Sequence, residues 1–164
     1  NICVELSFPK GGKIVNSEPL YNNGWCVNVQ PNGIIDNNYN YLFYESAQPN
    51  IWQKNTGYCI QRRQLTQFLK NDMQKRHFTD TEINDFLDYW IPILNTHNYY
   101  LIYPQTKQII DKVIKVTFNQ NPMVFYRLFY GFKGVNQPAN INPPVIESFE
   151  REGFVAVEWG GYIL

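Results

Sequence analysis

The spacing of apolar residues changes twice along this chain, and this change limits the possible folds more than any other feature. In residues 2–60 and again in residues 98–159, apolar and polar side chains alternate within short segments, as in strands that pack one face. Between these regions the apolar residues recur at spacings of three and four, which is typical of helices. Strands, a helical pair and strands again predict an α+β fold, with an antiparallel or mixed β-sheet and a helical hairpin packed on one face.

The helical pair is predicted over residues 61–75 and 79–95. Its apolar faces contain Leu65, Phe68, Leu69 and Met73 in the first helix, and Ile83, Phe86, Leu87 and Trp90 in the second. Thr79 and Glu82 have the spacing of a capping box, in which each side chain accepts a hydrogen bond from the other residue's backbone N–H. Pro92 is expected to end or kink the second helix.

Eight strands are predicted around this pair, and we interpret the first four as an antiparallel meander. The segment 135–144 contains three prolines and no period, and we expect an extended surface loop there. The eight strand segments are Ile2–Phe8, Gly24–Gln30, Tyr41–Glu45, Thr56–Ile60, Asn98–Pro104, Val113–Asn119, Met123–Phe132 and Glu152–Trp159.

Length and composition exclude several classes of protein. A chain of 164 residues with 44% hydrophobic residues suits a single domain over residues 1–164 with a packed core. Fourteen basic residues are balanced by fourteen acidic ones, so the chain lacks the positive charge that nucleic-acid binding requires. No apolar run approaches 18 residues, so we predict no membrane span. The chain opens on Asn1 rather than Met, which we interpret as a processed or trimmed product.

The cysteines bear on metal binding and on the cellular compartment. Cys3, Cys26 and Cys59 show no C-x-x-C spacing, and the only histidines are His77 and His97. We therefore predict no metal site and no cofactor. The three thiols are either small buried hydrophobic groups, or one disulfide and one unpaired thiol. We further predict that Cys26 and Cys59 lie on neighbouring strands and that at least one cysteine stays free.

The remaining isolated charges next to the helices are interpreted as surface groups. Arg62-Arg63 and Lys75-Arg76 flank the first helix, and we expect all four side chains to be solvated. His77 and His97 are also expected at the surface, because no nucleophile motif lies near either of them. No G-x-S-x-G elbow and no glycine-rich phosphate loop occurs in the chain.

Three charged residues interrupt aromatic strands and are the candidate site residues. With a period of two, Arg127 shares a strand face with aromatic neighbours, and Glu158 shares one with apolar neighbours. Such a charge is either paired or at the rim of a pocket, because its burial alone is costly. We predict that Glu158 pairs with Arg127 and that Glu45 shares the guanidinium. The alternative is a cleft in which Glu45 and Glu158 are catalytic.

An ordered series of short motifs covers nearly the whole chain, and its most specific block is Arg151–Gly161, which reads REGF-x-x-VEWGG. The earlier blocks are Gly24–Val27, Pro31–Gly33, Tyr41–Glu45, Gly57–Ile60, Phe68-Leu69, Asp85–Pro92, Tyr99–Ile102 and Arg127–Gly134. This series resembles a widespread family of bacterial domains that are usually encoded with export signals and have no established activity. The linker Lys75–Thr79 departs from the Gly-Leu-Asn-type turn of that family. The resemblance implies a single domain, and a secreted or cell-envelope location.

These observations favour a non-enzymatic binding or interaction domain of an exported or cell-surface protein. Aromatic residues make up 16% of the chain, and Tyr and Trp are frequent at recognition surfaces. The expected ligand is a protein or a glycan, and Arg127, Tyr44 and Trp159 are the candidate binding residues. One alternative is a hydrolase, acting on glycans through the pair Glu45 and Glu158. Another is a structural subunit of a larger assembly. The sequence does not specify the oligomeric state.

Overall fold

The computed structural model describes all residues from 1 to 164, and it has the predicted α+β architecture with a mixed arrangement of strands. The strands are β1 (Ile2–Ser7), β2 (Lys13–Glu18), β3 (Trp25–Val27), β4 (Phe43–Ala47), β5 (Tyr58–Gln61), β6 (Tyr99–Gln105), β7 (Lys115–Phe118), β8 (Val124–Val135) and β9 (Val155–Ile163). The helices are α1 (Leu65–Lys75), α2 (Asp80–Trp90) and the short α3 (Lys107–Ile110).

The chain divides into two compact units. The first unit contains Asn1–Ile51 and Gln108–Pro122, and the second contains Trp52–Lys107 and Met123–Leu164. Each unit has its own buried cluster of apolar side chains.

The first unit contains a three-stranded antiparallel sheet of order β3-β1-β7 and a separate antiparallel pair, β2-β4. Its core is formed by Val4, Trp25, Val27 and Ile35. Of the predicted meander, the antiparallel pairing of its first two strands, β1 and β3, is present. Its continuation is wrong, because β4 pairs with β2 and β5 pairs with β6 in separate sheets. Strand β2 was not predicted from the sequence. A bulge between Ile14 and Asn16 breaks its alternation and leaves Val15 exposed.

The second unit is a four-stranded sheet of order β5-β6-β8-β9, with α1 and α2 packed on one face. The pairs β5/β6 and β6/β8 are antiparallel, whereas β8/β9 is parallel, so the sheet is mixed. The core between sheet and helices includes Leu69 and Phe86 from the helices and Ile102, Leu128 and Phe132 from the strands. The predicted helical hairpin on one face is confirmed.

The helix ends follow the local signals in the sequence. Arg62–Gln64 form a 3₁₀ turn that precedes α1, and α2 begins with Thr79 as its N-cap. The Thr79 hydroxyl accepts from the Glu82 backbone N–H, and the Glu82 carboxylate accepts from the Thr79 backbone N–H at 2.8 Å. This is the predicted capping box. The second helix ends at Trp90, earlier than the predicted residue 95, because Pro92 cannot continue it.

Removing this cap is expected to destabilise the protein. Thr79→Ala should lower the free energy of unfolding by about 0.5–2 kcal/mol, because the Glu82 backbone N–H loses its acceptor. Denaturant unfolding measures the change. The matched control is Thr81→Ala, which alters an exposed threonine of the same helix that does not form the cap. Equal unfolding midpoints for the two variants would contradict the role of the cap.

Gly161 allows α2 to approach the edge strand β9. A Cβ atom at this position would lie 2.8 Å from the Trp90 ring and 2.8 Å from the Tyr130 carbonyl oxygen. A side chain there would force apart α2 and the two parallel strands, because contacts between Cβ and backbone atoms at that distance are not tolerated. The close packing of α2 on β9 thus explains the second glycine of the REGF-x-x-VEWGG motif.

No helix of the structure combines the length and the apolar character that a membrane crossing requires.

Candidate functional site

The parallel pairing of β8 and β9 places Arg127 directly beside Glu158. Both residues alternate with the side chains that pack on the helices, so they lie on the opposite face of the sheet. The Arg127 Nε–H donates to Glu158 Oε2, and the two side chains are 0% and 14% exposed. The predicted charge-assisted pair is confirmed.

Aromatic and basic groups surround this pair. The Arg127 guanidinium lies 5.3 Å from the centre of the Phe125 ring, and the Lys107 ammonium lies 5.7 Å from the same ring. Cations near an aromatic face are attracted by its negative quadrupole. The guanidinium is therefore held by a carboxylate and by a ring. An Arg side chain fits this position because its planar group can do both.

The other sequence-predicted residues lie elsewhere in the fold. Glu45 is on β4 in the first unit, where its Oε2 accepts from the Asn16 amide at 3.2 Å. Tyr44, on the same strand, is half-buried 6.4 Å from the Trp25 ring centre. Trp159, on β9, packs edge-on against Phe86 at 5.8 Å. The sharing of the guanidinium by Glu45 and the binding roles of these residues stay predictions.

A second group of polar side chains, which the sequence did not predict, is buried between α1 and the sheet. Arg76 Nε donates to Asp72 Oδ2 at 2.8 Å, and the Tyr130 hydroxyl donates to the same oxygen at 2.6 Å. Arg76 Nη1 donates to the Tyr126 hydroxyl at 3.3 Å, and Tyr126 donates to the Glu147 carbonyl at 2.7 Å. We call Asp72, Arg76, Tyr126 and Tyr130 the buried polar cluster.

The buried polar cluster corrects one prediction. Arg76 is only 3% exposed, so its interpretation as a solvated charge is wrong. The residue lies one turn after Asp72, and the end of α1 is pressed onto the sheet, where the carboxylate neutralises the guanidinium. Arg62, Arg63 and Lys75 are exposed as predicted, and so is His77.

Burial and neighbouring charges together shift the pKa values of Tyr130 and Arg76 in this cluster. Burial raises the pKa of the Tyr130 hydroxyl well above its ordinary value, and the Asp72 carboxylate raises it further. Burial of Arg76 opposes its charge, but Tyr130 and Asp72 outweigh this effect, so the pKa of the guanidinium lies above its ordinary value. Tyr130 thus remains a hydrogen-bond donor and Arg76 a cation at neutral pH. The arrangement links α1 to β8.

Alkaline pH is therefore expected to destabilise the protein partly through Tyr130. An unfolded tyrosine releases its proton near pH 10, whereas the buried Tyr130 retains it. Its contribution is fully present below that pH and is lost as the pH rises toward the pKa of the folded state. Denaturant unfolding from pH 9 to 11 should show a shallower decline for Tyr130→Phe than for the parent. The control Tyr41→Phe, at an exposed position, should keep the parent slope.

The cysteines form one disulfide and leave one free thiol. Cys3 and Cys26 are register partners on β1 and β3 and are joined by the disulfide, whereas Cys59 on β5 is free. This agrees with the second of the two alternatives and with the prediction of a free cysteine. The prediction that Cys26 and Cys59 lie on neighbouring strands is wrong. The alternation of β3 aligns Cys26 with β1, whereas β5 belongs to the other sheet.

Removal of this disulfide is expected to weaken the fold. Replacing Cys3 and Cys26 by Ser should lower the free energy of unfolding by about 3 kcal/mol, because the cross-link closes a loop of 23 residues in the unfolded chain. Denaturant unfolding under non-reducing conditions measures this effect. Cys59→Ser is the matched control and should change the stability far less. A double variant as stable as this control would contradict the prediction.

An aromatic pair on the second unit was also not predicted from the sequence. The Trp52 ring stacks on Tyr162 with centroids 4.7 Å apart and an angle of 21° between the planes. The adjacent Gln53 side chain donates to the carbonyls of Thr56 at 3.0 Å and Pro104 at 2.7 Å. These bonds position Trp52, whose side chain is half-buried. Trp52 follows no strand or helix pattern, so periodicity could not identify it.

No group of three or more His, Cys, Asp or Glu side chains is placed to hold a metal ion. The chain is thus an α+β protein with the ion pair Arg127–Glu158 on one face of its four-stranded sheet and with Trp52 stacked on Tyr162. No family model matches the chain, and no curated protein or solved structure is significantly similar to it.

Proposed function

We propose that the chain is a non-enzymatic binding domain of an exported or cell-surface protein, with a protein or glycan ligand. The proposal that the domain is not an enzyme rests on the pairing of Glu158 with Arg127. A general acid or nucleophile needs a carboxyl group that substrate can reach and that is free to exchange a proton. Glu158 is instead bound by a fully buried guanidinium and is 14% exposed. This supports a structural role for the candidate catalytic carboxylate.

The disulfide supports export. Disulfide bonds persist in oxidising compartments and are rare where cellular thiols keep cysteines reduced. Cys26 is exposed and Cys3 is partly exposed, so cytoplasmic reductants would reach the bond. A chain that relies on this bond therefore fits the cell surface or the extracellular space.

Trp52 is the proposed contact residue for the ligand. Its stacking on Tyr162 fixes the ring in one orientation before a ligand arrives, which reduces the entropy lost on binding. Partly exposed aromatic rings suit both sugar faces and apolar peptide side chains. Arg127, with no exposed side-chain surface, would act by holding β8 and β9 together under this region.

A glycan array and a peptide array probed with the purified, oxidised protein test the proposal. We expect binding to a defined group of glycans or peptides, weakened at least tenfold by Trp52→Ala, a change equal to about 1.4 kcal/mol. The matched control Trp52→Phe keeps an aromatic ring and should retain most of the affinity. Unchanged binding by Trp52→Ala would remove Trp52 from the site.

The hydrolase alternative makes a different prediction. Incubation with a panel of glycans would yield shortened products, and Glu158→Gln would abolish them while leaving the thermal stability intact. That result would overturn the proposal. Absence of binding on both arrays, combined with sedimentation of the protein as a large oligomer, would also overturn it and favour a structural subunit.

A further inference from the structure

The connection between β8 and β9 contains a short segment that is hydrogen-bonded at both ends but makes no backbone hydrogen bond in the middle. The Asn142 carbonyl accepts from the Gly57 N–H at 2.8 Å, and the Glu147 carbonyl accepts from the Tyr126 hydroxyl at 2.7 Å. No backbone hydrogen bond holds the four residues between these anchors, Pro143–Ile146. We call these four residues the strap.

Three of the four strap residues are exposed, and its prolines favour an extended backbone. Proline fixes its own φ and drives the preceding residue toward extended conformations, so Asn142, Pro143 and Pro144 have little freedom to fold back. Val145 is 86% exposed, the largest exposure among the large hydrophobic residues of the chain. Leu20 and Met123 follow at 71% each, and Val15, at 58%, lies within the paired strand β2.

Endoproteases bind their substrates as extended segments, so a bond inside a strand or helix must first be freed by local unfolding. Within the strap no backbone hydrogen bond has to break, because Pro143–Ile146 are not part of a hydrogen-bonded ladder. Exposed loops without hydrogen bonds are the preferred sites of cleavage in folded proteins. The free energy that protects β2 and the other strands is therefore absent here.

We propose that the strap is a proteolytic processing site, cut between Val145 and Ile146 by an endoprotease that accepts a small β-branched side chain preceded by proline. Water is the second reactant. The carbonyl carbon of Val145 gains an oxygen, its bond to the nitrogen of Ile146 breaks, and that nitrogen leaves as an amine with the transferred proton. This inference does not depend on ligand binding.

The cut chain is expected to remain assembled. The fragment from residue 146 onward contains β9, which pairs with β8 at nine register positions and contributes Glu158 to the pair with Arg127. Two further contacts hold the fragment near α2. Phe149 is buried in the core, and the Arg151 guanidinium donates to the His77 carbonyl at 2.9 Å and to Glu82. Processing would thus create a two-chain protein with a new amino terminus at Ile146.

Limited digestion of the intact, oxidised protein with pancreatic elastase tests the inference. Mass spectrometry should show a first cut that yields residues 1–145 and 146–164. The two fragments should co-elute in size-exclusion chromatography in native buffer and separate in denaturant. Val145→Asp should slow this cut at least tenfold, because a carboxylate does not suit an apolar specificity pocket. Val15→Asp is the matched control and should leave the rate unchanged.

Three outcomes would overturn the inference: a first cut in another segment such as Gln30–Asn38, no cut while the protein is folded, or fragments that separate without denaturant. Thermal unfolding of Val145→Asp should match the parent, since the side chain is exposed, and this shows that slower cleavage is not a folding effect. The array results for Trp52→Ala are independent of each of these outcomes, so the binding proposal and the processing site can fail separately.

Discussion

Replacing Glu158 by Gln is expected to lower the free energy of unfolding by about 3–5 kcal/mol. The change keeps the shape of the side chain but removes the charge that compensates the buried guanidinium of Arg127. A loss of this size is a large share of the roughly 5–15 kcal/mol that stabilise a domain. Thermal and denaturant unfolding of the purified variant measure it.

The control for this variant is Glu152→Gln, which removes one negative charge at an exposed position shortly before β9. Its stability should lie within about 0.5 kcal/mol of the parent. The double variant Arg127→Met with Glu158→Gln removes both charges and should recover part of the loss, because no buried cation remains. A Glu158→Gln protein as stable as the parent would refute the structural role of the pair.

Replacing Asp72 by Asn is expected to have an effect of similar size, about 3–5 kcal/mol, in a different part of the second unit. Asp72 neutralises Arg76 and accepts the hydroxyl hydrogen of Tyr130, and all three groups are buried. The neutral amide leaves the guanidinium without a counter-charge in the core. Denaturant unfolding gives the magnitude.

Asp88→Asn is the matched control, since it removes a carboxylate from an exposed position on the neighbouring helix α2. It should change the stability by less than about 0.5 kcal/mol. If Asp72→Asn behaved like this control, the buried polar cluster would contribute nothing measurable to stability. The link between α1 and the sheet would then rest on apolar packing alone.

The parts of the fold that the sequence revealed are those encoded by neighbouring residues. The helical hairpin follows from apolar spacing, and the start of α2 follows from Thr79 and Glu82 three positions apart. The pair Arg127–Glu158 could be predicted from the sequence for a related reason. Each charge lies within an alternating strand, and the high cost of an unpaired buried charge restricts the choice of partner.

The parts that the sequence left open depend on pairings between distant residues. Nothing near Cys3 indicates that its strand lies between β3 and β7, and the choice between Cys26 and Cys59 as partners depends on that order. The buried polar cluster was missed for another reason. The spacing of Asp72 and Arg76 is common on solvated helix faces, so the same pattern fits an exposed pair and a buried one.

The first unit of the structure is assembled from two separate stretches of the chain, because β1 near the amino terminus is bonded to β7 after residue 114. All of Trp52–Lys107 lies between them. Such pairings raise the contact order, and chains with high contact order fold slowly because a long loop must close before its contacts stabilise it. A ribosome must therefore produce more than a hundred residues before β1 meets its second neighbour. Until then β1 has one open edge, and the newly made chain would gain most from a chaperone that shields it.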